Sequence, residues 1–196
     1  MPKSTFLNLS KEKRRAVIDA LIDEFEARPL PEATVAHIIE KLGIARGSFY
    51  QYFESLTESY FYVLQQEIIE THALFLKLYQ ANHRELIKTL EDYGCALAEE
   101  IFQSRHYALY KNRYLYWTAS LEKEWRNYLH RHRESHPLAE ATHGAQEMYG
   151  SNEIQFVKAL IHSLIQRLFL EEWDADTFLK HYRQYIRWIK GGIYHV

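Results

Sequence analysis

The chain has 196 residues, with 24 basic and 26 acidic side chains and a formal net charge of −2, so bulk charge does not draw it to a polyanion. Hydrophobic residues make up 47%, enough for a packed core, and exclude wholesale disorder. A single cysteine, Cys95, excludes an intramolecular disulfide framework and fits a reducing compartment.

Seven glycines and four prolines leave long uninterrupted runs, which favour helices. The first run, "SKEKRRAVIDALIDEFEA", sets Val17, Leu21 and Phe25 on one stripe with Ile18 and Ile22 beside it. Ser10 is its expected N-cap and Pro29 its stop. "TVAHIIEKLG" reads as a short helix capped by Thr34, with Val35, Ile38 and Leu42 inward and Gly43 in the left-handed position after it. A third helix spans about Ala45 to Phe53, and Ser55 with Glu58 forms a capping box for a longer helix to about Tyr79. Arg84–Ser104 and about Tyr107–Arg133 read as single helices, and residues 137–152 as a loop or broken helix. Two final helices, "EIQFVKALIHSLIQRLFLEEW" and "ADTFLKHYRQYIRWIKG", follow. The expected fold is all-α, with a first domain over 1–54 and a larger helical domain over 55–196. No apolar stretch reaches the ~18 residues of a membrane span, and the N-terminus has no apolar core of signal-peptide type. A cytoplasmic protein is expected.

Three short helices, the last two joined by a tight glycine turn, describe either a helix-turn-helix unit or any small three-helix bundle. In "GIARGSFYQYF", Phe49 and Phe53 share one helical face and Arg46 and Tyr50 another. Gly47 offers no side chain, so a surface can approach closely there. Arginine and glutamine suit guanine and adenine edges, and tyrosine and serine hydroxyls suit phosphates.

"ATVAHIIEKLGIARGSFYQYFES" resembles the helix-turn-helix of the tetracycline-repressor-like (TetR) family of bacterial transcription regulators, on Thr34, Val35, Ile38, Gly43, Gly47 to Tyr50, Tyr52 and Phe53. The resemblance covers roughly residues 10 to 60. It implies an N-terminal DNA-binding domain followed by an effector-binding and dimerisation domain. It also implies that Arg46 and Gln51 read bases, that Gly47 permits close approach, and that Ser48, Tyr50 and Tyr52 touch phosphate or groove wall. Thr34 would donate its hydroxyl or backbone N–H to phosphate, and His37 would reach the backbone one turn on. Thr34 as a mere cap and Tyr52 as a packed ring are the alternatives. Three positions depart from the family pattern. The lysine usual at the start of the fourth helix is Leu56, the recognition-helix cap is Ala45, and the turn between the first two helices reads "RPLPEA". Modest affinity and a shallow salt dependence follow, unless the basic arm of Lys3, Lys11, Lys13, Arg14 and Arg15 compensates.

The resemblance also implies a homodimer on a pseudo-palindromic double-stranded DNA operator, most often a repressor released by a small-molecule effector. The last two helices supply a candidate interface in Ile154, Val157, Ile161, Leu164 and Leu168 and in Phe178, Tyr182, Tyr185 and Ile189. The alternative is that both stripes are intrachain core. Tyr110, Tyr114 and Trp117 share a stripe that either lines an effector pocket or is core. His130, His132 and His136, with His143 beyond, lack the spaced thiolates or acids of a metal set, and a solvated helix end is expected. A di-metal bundle enzyme needs two Glu-x-x-His pairs, and only Glu140 with His143 is present. No enzyme, cofactor or membrane partner is expected. The rival reading is a helical partner-binding protein whose helix-turn-helix no longer reads DNA.

Overall fold

A computed structural model describes residues 2–131 and 151–193, apart from the side chains of residues 67–73 and 193. The described residues form helices only: α1 Ser4–Leu7, α2 Lys11–Ala27, α3 Val35–Leu42, α4 Arg46–Tyr52, α5 Leu56–Ala81, α6 Leu86–Phe102, α7 Tyr107–Tyr116, α8 Ala119–Arg131, α9 Asn152–Leu170 and α10 Ala175–Ile193. The chain divides into two compact units, Met1–Ile68 with Ala108–His136 and Ile69–Tyr107 with Pro137–Val196.

The helix ends follow local chemistry. Ser10 accepts the Lys13 N–H, Thr34 the His37 N–H and Ser151 the Ile154 N–H, each satisfying a donor that the first turn leaves orphaned. Ser55 accepts the Glu58 N–H at 3.0 Å, and the Glu58 carboxylate reaches back to the N–H of Glu54 at 2.6 Å. The expected helix over 107–133 is two helices. Thr118 breaks it, its hydroxyl accepting the Leu121 N–H at 3.2 Å and so capping α8. The chain start holds a helix that the sequence reading did not find, α1, with Phe6 fully buried. The segment 137–152, His132, His136, His143 and Glu140 lie outside the described residues, save Ser151, the N-cap of α9, and Asn152, its first residue.

In the first unit Leu21 and Phe25 of α2, Ile38 of α3, Phe49 and Phe53, and Tyr60, Phe61 and Leu64 of α5 share one core with Leu109, Trp125 and Tyr128. The Phe61 ring lies 5.2 Å from Trp125 and 5.4 Å from Tyr128. The Asn112 amide donates to the carbonyls of Phe25 and Glu26 at 2.9 and 3.1 Å, closing the end of α2. In the second unit α6 packs along α10. Gly94 makes room there: a Cβ at that position would stand 2.5 Å from the Tyr182 ring. The Tyr182 hydroxyl donates to Leu90 O at 2.8 Å.

Candidate nucleic-acid interface

α3 and α4 are set at their angle by one residue. Gly43 has φ +62°, a left-handed conformation that costs a side-chain-bearing residue about 1 kcal/mol or more. Its N–H donates to Glu40 O and the Ile44 N–H to Ile39 O, both at 3.2 Å, the paired bonds of a Schellman end. α4 begins at Arg46, three residues after Gly43. Phe49 and Phe53 are fully buried, their rings 5.7 Å apart. That pins the outer face. Arg46, Gly47, Tyr50 and Gln51 are exposed, and Ser48 and Tyr52 are half-buried. The Arg46 guanidinium lies 5.9 Å from the centre of the Tyr50 ring. The Tyr52 ring meets Phe6 edge-on at 6.0 Å, so it is partly structural. A Cβ on Gly47 would meet nothing within 4 Å. Nothing in the chain itself requires glycine there.

The first turn of α3 is organised by a residue that sequence reasoning missed. Glu24 is only 5% exposed. Its Oε1 accepts the Thr34 N–H at 2.9 Å and lies 2.9 Å from His37 Nδ1, and its Oε2 accepts from Arg28 at 3.1 Å. The signal was present: positions 17, 20, 21, 24 and 25 are the buried stripe of α2, and one of them is a carboxylate. The consequence narrows the expectation for Thr34 to one of its two donors. Its backbone N–H is already donated to Glu24, which leaves the hydroxyl as its free donor. His37 keeps Nε2 as the ring atom not held by Glu24.

The basic arm is also partly engaged. Lys3 Nζ donates to Tyr50 O at 2.8 Å, and the Arg14 guanidinium to Leu7 O at 2.6 Å and Leu9 O at 3.3 Å. Lys11, Lys13 and Arg15 remain exposed. Leu56, where the family pattern has lysine, packs against the core of the first unit.

In the second unit the candidate interface stripe is covered inside the chain. Ile154, Val157, Leu164, Leu168, Phe178, Tyr182 and Ile189 are buried in the single chain, because the sides they occupy meet neighbouring helices. Ile161 and Tyr185 are half-buried. Among the described residues of this unit, the large apolar side chains left outside are Phe156 (50% exposed), Leu170 (63%) and Trp188 (61%). On α9, Arg167 forms an ion pair with Glu171, donates to the Tyr185 hydroxyl at 3.0 Å and lies 4.8 Å from the Trp173 ring. Of the aromatic stripe, Tyr110 is buried, and Tyr114 and Trp117 are half-buried. Burial raises the Tyr114 hydroxyl above its ordinary range, against the lowering pull of Arg113. Trp117 donates its indole N–H to Glu122 at 2.8 Å and packs on Phe61 and Trp125. An open cleft of about 70 Å³ lies elsewhere, against Phe75, Tyr93, Ile154, Val157, Lys158 and His162. Among the described residues no group of His, Cys, Asp or Glu is placed to hold a metal ion, and no helix is long and apolar enough to cross a membrane.

A capped helix, a left-handed glycine turn and a short helix with a polar outer face make a helix-turn-helix, the reading element of many transcription regulators. Residues 17–58 match the family described as bacterial regulatory proteins, tetR family, and residues 86–192 match the tetracyclin repressor C-terminal domain. The chain belongs to the tetR family of transcriptional regulators. Over 49 residues it is 39% identical to an uncharacterized HTH-type transcriptional regulator, TtgW, of Pseudomonas putida, a match spanning 25% of this chain and 37% of that relative. Among solved structures it is similar to the fatty acid degradation regulator FadR from Bacillus halodurans, at TM-score 0.54 and 14% identity over 88% of this chain and 96% of that one. A TetR family transcriptional regulator from Chloroflexus aurantiacus J-10-fl is 23% identical over 92% of this chain and 98% of that one, at TM-score 0.47.

Proposed function

We propose that the protein is a cytoplasmic, ligand-responsive repressor that reads a pseudo-palindromic operator as a homodimer and is released by a small-molecule effector. The observation that carries this is the split of α4 into two faces. Phe49 and Phe53 are fully buried, while Arg46, Gly47, Tyr50 and Gln51 face outward. Arg46 and Gln51 would pair with base edges, and Gly47 would let the helix backbone approach the groove. Ser48, Tyr50, Tyr52, the Thr34 hydroxyl and His37 Nε2 would meet phosphates and set the register.

For the dimer, we assign the outward sides of α9 and α10, with Phe156, Leu170 and Trp188 as apolar anchors. Aromatic side chains are enriched at the buried centres of protein interfaces, where taking such groups out of water favours association. Trp188→Glu should then yield a monomer in sedimentation at concentrations where the parent is a dimer, with unchanged helix content. For the effector, the cleft against Phe75, Tyr93 and Ile154 is a better candidate than the Tyr110, Tyr114 and Trp117 stripe, whose Tyr110 and Trp117 sit in packed surroundings. At about 70 Å³ it must open to admit a drug-sized molecule.

Selection of duplexes from a random library by the full chain tests the DNA reading. A recovered inverted repeat supports it, and recovery of no preferred sequence would refute it. The rival, a partner-binding protein with a silent helix-turn-helix, draws support from Leu56 being packed and Lys3 being engaged, and it expects that second outcome.

A further inference from the structure

α4 is seven residues long, far below the length at which a helix is stable alone, and Ala45 gives it no side-chain cap. Its last carbonyls have no following turn to satisfy them. Phe49 O receives the Phe53 N–H at 3.0 Å. The next three carbonyls all receive donors from one distant segment. Tyr50 O receives Lys3 Nζ at 2.8 Å, Gln51 O the Thr5 hydroxyl, and Tyr52 O the Lys3 N–H at 2.8 Å. Phe6 anchors that segment, fully buried with its ring 5.1 Å from Phe53, 6.0 Å from Tyr52 and 5.5 Å from Tyr62. Arg14 ties down its far end through Leu7 O and Leu9 O. The Lys3 ammonium also places positive charge at the negative end of α4.

We propose that Lys3–Phe6 is a clamp that closes the C-terminal end of α4 and holds its reading face in place. Lys3 and Thr5 are positioning residues that act on DNA through α4 and do not touch it. The inference rests on α4 being the reading helix, as proposed above. It departs from the simpler role of an N-terminal lysine, a phosphate contact, in a measurable way. A phosphate contact releases a counterion and contributes to the salt dependence of binding, whereas a clamp does not.

The test uses full-length Lys3→Met and Thr5→Val. Each removes one side-chain donor and keeps the Phe6 anchor and the Lys3 N–H. Amide hydrogen exchange on the free protein comes first. The amides of α4 and Phe53 should exchange about fivefold faster, the equivalent of one net hydrogen bond, with α6, α9 and α10 unchanged. Affinity for the duplex that the parent selects, followed across a salt series, comes second. It should fall by about fivefold, with an unchanged salt slope and unchanged affinity for random-sequence duplex. Unaltered exchange in both variants overturns the clamp. A slope reduced by about one in Lys3→Met also overturns it, because Lys3 is then a phosphate ligand. Faster exchange with full specific affinity overturns it too. If the parent selects no duplex, the DNA reading fails, and the exchange result alone upholds or overturns the clamp.

Discussion

Glu24 Oε1 lies 2.9 Å from His37 Nδ1 and accepts the Thr34 N–H at the same distance. One buried carboxylate of α2 therefore fixes both the start of α3 and the ring that flanks it. Glu24→Ala should cost about 1–3 kcal/mol of stability, since it removes the acceptor of a partly buried backbone donor and the partner of Arg28 and His37. Chemical denaturation followed by helix circular dichroism measures this. A loss below about 0.5 kcal/mol, typical of surface substitutions, would show that the bonds to Thr34 and His37 do not hold the turn.

Gly47 separates a structural role from a functional one. A Cβ there meets nothing, and alanine is the better helix former, so Gly47→Ala should raise the stability of the free protein by about 0.5–1 kcal/mol. The same methyl would stand between α4 and the groove. Affinity for the selected duplex should fall roughly tenfold, about 1.4 kcal/mol. Gel-shift titration and thermal denaturation of one preparation give both values.

Gly94 is the opposite case. The place of its missing Cβ is occupied by the Tyr182 ring, which is buried and tethered through its hydroxyl to Leu90 O. Gly94→Ala should cost about 1–3 kcal/mol or more by overpacking, read as a lower denaturation midpoint. An unchanged midpoint would mean that α6 and α10 can separate without penalty.

The elements were legible where chemistry is local. Ser10, Thr34, Gly43 and Ser55 announce their caps in sequence, and the paired phenylalanines of α4 announce their burial by spacing. What was hidden depends on distant partners. Lys3 reads as part of a basic arm because the carbonyls it meets, those of Tyr50 and Tyr52, lie far along the chain. The Thr118 break was missed because the apolar pattern runs through it, although threonine three residues before Leu121 was a usable cap signal. Leu164 and Phe178 look alike as core or interface, since a helix stripe records that a side is covered and not by what.

Alkaline pH should unfold the protein as the buried tyrosines ionise, after the exposed ones have titrated. Burial raises Tyr60 from 10.0 to about 12, and burial likewise raises Tyr128 and Tyr182. The folded pKa values lie above the unfolded ones, so the stability these groups contribute is intact below about pH 10 and is lost as pH rises through the folded values. Tyrosinate absorbance and helix signal recorded together should show loss of helix accompanying the late tyrosine phase. Late ionisation with the helix intact would contradict this.

Arg46 gives the most direct test. The measurement is the affinity of the parent and of Arg46→Ala for the parent's selected duplex and for single-base variants of it. If the outer face of α4 reads DNA, the substitution removes about 1–3 kcal/mol of discrimination at one base pair of each half-site, roughly 5- to 150-fold, and leaves helix content unchanged. An Arg46→Ala protein that binds the same duplex with the parent's affinity and selectivity would contradict that assignment.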